Sequence, residues 1–183
     1  MRVTGGQAKG IPIKAPKGVE TRPTSDKVRE AVFQTLGRLV EEARVLDLFA
    51  GSGALGIEAL SRGAEFCVFV DKASAATRII EDNLVKAGFR ERAEVIRSDF
   101  RSAVRLLSRS GENFNLILLD PPYGGDLLEQ TAAALDAHPL TGARPIIVVE
   151  HFKKDAPPAA IGGITPTETR FYGQTAITYY FGV

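Results

Sequence analysis

The chain has 183 residues, 25% of them charged and 44% hydrophobic, with a formal net charge of +1. That length suits one α/β domain with a full core and leaves little room for a second. Cys67 is the single cysteine, which excludes an internal disulfide and a Cys-rich zinc site; no run reaches the roughly 18 apolar residues of a membrane span, and the opening MRVTGGQAKG lacks a signal peptide's apolar segment, so a cytoplasmic protein with no metal and no membrane partner is expected.

Residues 1–24 are rich in Gly, Pro, Lys and Thr, with short alternating runs such as IPIKAP, which predicts a β-hairpin or extended arm appended to the core. Arg2, Lys9, Lys14, Lys17, Arg22, Lys27 and Arg29 stand against Glu20, Asp26 and Glu30, so the first thirty residues carry +4 and the remainder −3. A polyanionic partner and an ordinary solvated face both fit that tilt. On an extended arm, Arg2, Lys9, Lys14, Lys17 and Arg22 would form a surface able to follow phosphates, which positions a nucleic acid without reading its sequence. Lys27 and Arg29 can instead pair with Glu30 and Asp26 along a solvated helix face.

Residues 25–183 read as one globular domain. Thr24 or Ser25 can cap a helix starting near Asp26, where Val28, Val32, Phe33, Leu36, Leu39 and Val40 recur at helical spacing. RVLDLFAG is then a buried strand, GSGALGIEALSRG a loop and helix ending at Gly63, and FCVFVD a second strand, which makes a βαβ unit. KASAATRIIEDNLVKAG gives a helix stopped at Gly88, AEVIRSD a third strand, FRSAVRLLSRSG a helix, NLILLD a fourth strand, LLEQTAAALDAHP a helix stopped at Pro139, and RPIIVVEH a fifth strand. Five apolar strands alternating with amphipathic helices predict a doubly wound parallel α/β sheet. TETRFYGQTAITYYFGV adds two β-rich runs around Gly173, an antiparallel C-terminal hairpin that brings the sheet to seven strands.

DLFAGSGALG, residues 47–56, matches G-x-G-x-x-G through Gly51, Gly53 and Gly56, after a strand and before a helix, where glycines permit a tight turn and a close backbone approach to a ligand. Asp71 ends the next strand, where a carboxylate can accept ribose hydroxyls. A nicotinamide enzyme fits that much. Asp47, immediately before the loop, would repel a pyrophosphate, yet it suits a cofactor bearing a sulfonium and an α-ammonium group, such as S-adenosylmethionine.

Asp47 with this loop, Asp71 after strand two, and Ser98-Asp99-Phe100 after strand three resemble the class I S-adenosylmethionine-dependent methyltransferases, a Rossmann-like family. The resemblance implies that Gly51 and Gly53 face the methionine part, that Asp71 binds ribose, and that Asp99 meets the adenine amino group with Phe100 beside the base. Asp71 and Asp99 could each instead cap the helix that follows.

LLDPPYGG ends the fourth strand at the carboxyl edge, where open α/β sheets bind ligands. A purine amine is a poor nucleophile because its lone pair is delocalised into the ring. The carboxylate of Asp120 and the carbonyl of Pro121, held rigid by Pro122, can accept its two N–H groups and steer the lone pair toward a methyl group, while Tyr123 stacks on the base. Asp120 offers two acceptors and no donor, which suits the adjacent N1–H and N2–H of guanine, but local chemistry stops at an exocyclic amine. Glu150, at the end of the fifth strand, could reach this site or face solvent, and His151 has no partner spacing that suggests a metal or a triad.

Over nearly the whole span from Arg2 to Glu150, the runs VTGGQAKGIPIKAPKG, TRPTSDKVREAVFQTLG, LDLFAGSGALGIEALSRGA and LLDPPYGG resemble the bacterial guanine-N2 methyltransferases of 16S ribosomal RNA. That likeness implies S-adenosylmethionine as methyl donor, S-adenosylhomocysteine as product, 16S rRNA or an assembling small-subunit particle as partner, an arm that helps hold RNA, Arg22 and Thr24 near the cofactor pocket, and a monomer. An adenine-N6 methylase, a nicotinamide oxidoreductase and a non-catalytic RNA-binding assembly factor remain open on the residues alone.

Overall fold

The structure is a computed structural model that describes residues 1–15, 25–122 and 124–183. Helix α1 (Asp26–Leu36) is capped by Ser25, whose side chain accepts from the Val28 N–H, and it stops at Gly37, where φ is 52°. That glycine makes α1 shorter than its apolar spacing suggests: Gly37–Val40 forms a 3-10 turn, and Leu39 is left exposed. There follow β1 (Arg44–Asp47), α2 (Ala54–Ser61), β2 (Phe66–Asp71), α3 (Ser74–Ala87), β3 (Ala93–Arg97), α4 (Phe100–Arg109), β4 (Phe114–Leu119), α5 (Leu127–Ala137), β5 (Thr141–Phe152), β6 (Glu168–Tyr172) and β7 (Thr175–Phe181).

The seven strands lie in the order β3-β2-β1-β4-β5-β7-β6. The pairs from β3 through β5 are parallel, and β7 is antiparallel to both β5 and β6, so the expected hairpin closes one edge. The parallel strands are apolar on both faces because helices cover both. On one face Val45, Phe69, Leu118 and Val148 pack with α1, α2 and α3 residues such as Val32, Ile57 and Ile80. On the other, Leu46, Val70, Leu119 and Val149 pack with Val104 of α4 and Leu135 of α5. Between β1 and β4 the strand order reverses direction, which opens a crevice at the carboxyl ends of these strands.

Over residues 1–15 the N-terminal arm is built into the core. An antiparallel bridge joins Arg2 to Pro12, and Val3, Ala8 and Ile13 are buried in the first cluster. Its anchor is Glu58 of α2, which accepts from the Thr4 N–H (2.8 Å), the Thr4 hydroxyl (2.6 Å), Arg62 Nε (2.8 Å) and Arg29 Nε (3.2 Å). Arg29 also donates to the Arg2 carbonyl and to Asp26 Oδ1. Arg29 and Glu58 are both fully buried, so Arg29 is not on a solvated face as the local spacing suggested. A buried pair satisfied by this many hydrogen bonds fixes one geometry, and removing either partner would strand a charge.

Candidate functional site

The crevice is built from the carboxyl ends of β1, β2 and β4. Alternation along β1 puts Val45 in the first cluster and Leu46 in the second, which returns Asp47 to the first face, in register with Leu118 and Phe69. Asp47 is 1% exposed. Its Oδ2 accepts from the Gly56 N–H at 3.0 Å, bridging the loop, while its Oδ1 is buried with no hydrogen-bond partner among the described residues. Desolvation pushes its carboxyl up to about 7, opposed by the Gly56 hydrogen bond and reinforced by the nearby Asp71 charge. A buried carboxylate oxygen with unspent acceptor capacity is costly by itself and fits a cationic ligand group.

The glycine loop needs its glycines for different reasons. Gly51 (φ 55°) and Gly53 (φ 77°) hold left-handed conformations, and at Gly51 the place a Cβ would take is open space. Gly56 lets α2 lie against the sheet: a Cβ there would stand 2.3 Å from the Phe69 ring and 2.7 Å from Cys67 Sγ. Asp71 ties the loop down, with Oδ2 accepting from the Gly51 N–H at 2.9 Å and Oδ1 from the Ala73 N–H at 2.8 Å. Each oxygen keeps a further lone pair.

Asn83 of α3 is a clamp that the sequence did not reveal. It is buried, donates to the Ser52 carbonyl (2.9 Å) and the Lys14 carbonyl (3.0 Å), and accepts from the Lys14 N–H (3.0 Å), so it joins the glycine loop to the arm. Nothing in the spacing connects positions 14, 52 and 83. The only local signal is a polar residue at a helix position whose neighbours Ile80, Leu84 and Ala87 are buried.

Asp99 is exposed and caps α4 through Oδ1, which accepts from the Arg101 and Ser102 N–H groups, both at 3.1 Å. Hydrogen bonding from Ser102, side chain first and then backbone, holds its carboxyl below the usual range. Phe100 is buried in the second cluster against Phe49, ring centroids 5.6 Å apart, and Phe49 is the more accessible of the two rings.

At the end of β4, Asp120 is half-buried, Pro121 buried and Pro122 exposed, and Gly124 (φ 91°) and Gly125 (φ 74°) turn the chain toward α5. Pro121 and Pro122 line an open recess together with Leu128, Glu150, Phe152 and Asp155. Glu150 is therefore not a solvated residue; it is 5% exposed. His151 is likewise buried, within hydrogen-bonding distance of the Thr178 hydroxyl at 2.9 Å. Arg2, Lys9 and Lys14 are exposed on the arm, and Lys14 lies 3.6 Å from Asp82. Lys17, Arg22, Thr24 and Tyr123 lie outside the described residues. Among the described residues no group of three or more His, Cys, Asp or Glu side chains could hold a metal ion, and no helix is long and apolar enough to cross a membrane.

A family model described as "Conserved hypothetical protein 95" matches residues 1–181. The chain is 39% identical over 180 residues to YlbH of Bacillus subtilis, covering 98% of each protein. It is 34% identical over 182 residues to Ribosomal RNA small subunit methyltransferase D of Escherichia coli K12, covering 98% of this chain and 89% of the relative. The solved structure of yhhF from Escherichia coli superposes with a TM-score of 0.86 at 32% identity, over 99% of this chain and 97% of that one. An RNA methyltransferase from Salinibacter ruber, solved with S-adenosyl-L-homocysteine, shares the fold with a TM-score of 0.66 at 17% identity, over 87% and 92% of the two chains.

Proposed function

The chain belongs to the Conserved hypothetical protein 95 family, and from that premise we propose that it is a ribosomal RNA methyltransferase that moves a methyl group from S-adenosylmethionine to the N2 amine of a guanine in 16S rRNA, in the cytoplasm and as a monomer. The observation that carries this reading is the pairing of two features on neighbouring strands: a glycine loop backed by the buried Oδ1 of Asp47, unpartnered among the described residues, and the rigid Asp120-Pro121-Pro122 run at the end of β4.

Asp47 would face the cationic end of the cofactor, with the Gly51 and Gly53 backbone beside the methionine part. Asp71 would accept ribose hydroxyls with its remaining lone pairs, and Asp99 would accept from the adenine amine while its Oδ1 keeps the α4 cap. Arg22, Thr24 and Phe100 would border the pocket. When bound, S-adenosylmethionine supplies an electrophilic methyl carbon on a sulfonium, so the protein need only orient the acceptor. Asp120 and the Pro121 carbonyl would accept the two N–H groups of the amine and aim its lone pair, with Tyr123 against the base. Pro122 has no N–H and a fixed φ, which holds that pair of acceptors still. The Asp120 carboxylate would also take the proton lost on methylation. Arg2, Lys9, Lys14 and Lys17 would follow the RNA phosphates.

Replacing Asp120 by alanine tests this assignment. The variant should lose methyl transfer while holding S-adenosylhomocysteine within a few-fold of the parent by titration calorimetry; loss of cofactor binding would move Asp120 into that pocket instead. Tight NADH binding without S-adenosylhomocysteine binding would establish the oxidoreductase reading.

A further inference from the structure

We propose that Glu150 reads the target base by accepting the N1–H of guanine, and so sets the preference of the site for guanine over a purine with a bare N1; this rests on the reading of the site given above. Strands β4 and β5 are parallel neighbours with Leu119 opposite Val149, so Asp120 and Glu150 are the next residues along adjacent strands. Val148 packs in the first cluster and Val149 in the second, which returns Glu150 to the face that carries Asp47. Across the antiparallel ladder its partner is the buried Ile177. A carboxylate is rarely buried unless it has polar work to do, and the substrate amine already has its acceptors in Asp120 and Pro121. Glu150 lines the recess that Pro121 and Pro122 border.

The chemistry of the base selects the role. Guanine presents N1–H and N2–H donors side by side, whereas adenine presents an amine next to a bare N1 lone pair. An ionised carboxylate only accepts, so it pairs with N1–H and repels a lone pair in the same place. With Asp120 and the Pro121 carbonyl on the amine and Glu150 on N1–H, the donor edge of guanine would be matched and that of adenine rejected.

The test uses two small-subunit rRNAs, built by ligation with either guanosine or 2,6-diaminopurine at the methylated position. Diaminopurine keeps the 2-amine, exchanges N1–H for a lone pair and O6 for an amine; the O6 change acts on parent and variant alike, so the change in ratio between them reads the N1 contact. The parent enzyme should favour guanosine in kcat/KM by a factor on the order of 10 to 100, the range of one good base contact. Glu150→Gln, whose amide can donate to a bare N1, should bring that ratio at least ~10-fold closer to unity, with S-adenosylhomocysteine affinity unchanged. Equal rates of the parent on both RNAs would overturn the assignment without any variant. So would a Glu150→Gln enzyme that slows on both RNAs alike, since a structural role moves both rates and leaves the ratio. Absence of N2-methyl label from the parent on the guanosine RNA would instead sink the underlying reading of the site, and this inference with it.

Discussion

Asp47→Asn should separate the stability of the empty protein from its ability to hold a cofactor. The structure supplies the magnitude: a carboxyl ordinarily near 3.8 is pushed up to about 7 by burial, with 1% of the residue exposed. A displacement of that size is worth ~4 kcal/mol at most, once the group is ionised in the unfolded chain and costly to ionise in the folded one. The sign follows from proton binding. Between the two values the folded state holds the proton and the unfolded state does not, so this contribution to stability falls as pH rises from the unfolded value and levels off above about 7. Between about pH 5 and 8 the parent should therefore lose ~2 to 3 kcal/mol relative to Asp47→Asn, or roughly 4 to 12 °C in relative Tm. Thermal unfolding of both proteins across that range reads the difference directly. Calorimetry with S-adenosylhomocysteine should show the opposite ranking, the neutral variant binding at least ~10-fold more weakly because a buried charge partner is gone. A parent and variant whose stabilities stay parallel with pH, or a variant that keeps the parent's affinity, would refute the idea that this carboxylate is held for a cationic ligand.

Glu58→Ala should destabilise the protein by ~3 to 5 kcal/mol in urea unfolding, because it leaves the fully buried Arg29 with Asp26 as its one remaining carboxylate among the described residues and frees Thr4; a loss under about 1 kcal/mol would mean water replaces the carboxylate. Gly56→Ala should cost at least ~1 to 3 kcal/mol, since its Cβ would lie 2.3 Å from the Phe69 ring, and an unchanged urea midpoint would contradict the packing. Asn83→Leu should both destabilise the fold and weaken S-adenosylhomocysteine binding by loosening the Ser52 and Lys14 ties; hydrogen exchange at the glycine loop that stays as slow as in the parent would contradict the clamp.

The parallel sheet was legible because its signals are local: RVLDLFAG, FCVFVD and NLILLD are short, mostly apolar runs, and Gly63 and Gly88 stand just past the ends of α2 and α3. The glycine loop and the Asp-Pro-Pro run could be read for the same reason, since each compresses its geometry into a few consecutive residues. The packing of the arm could not. Val3, Ala8 and Ile13 are isolated apolar residues among glycines and lysines, and the arm that carries them is tied down by bonds from Thr4 to Glu58 and from Ala8 to Ser61 of α2, 54 and 53 positions away. Glu58 itself left a faint trace, a lone acid in the short run GIEALS, every residue of which is buried. Glu150 was ambiguous for a related reason. A strand in the interior of a parallel sheet is apolar on both faces, so alternation gave no hint of which way a terminal charged residue would turn.

The most direct test of the account is to incubate the protein with methyl-labelled S-adenosylmethionine and small-subunit rRNA or particles from cells lacking this gene, then digest the RNA and identify the labelled nucleoside. Label is expected in N2-methylguanosine, lost with Asp120→Ala. Label in N6-methyladenosine would keep the cofactor and discard the base, and no label in either substrate would contradict the catalytic reading outright.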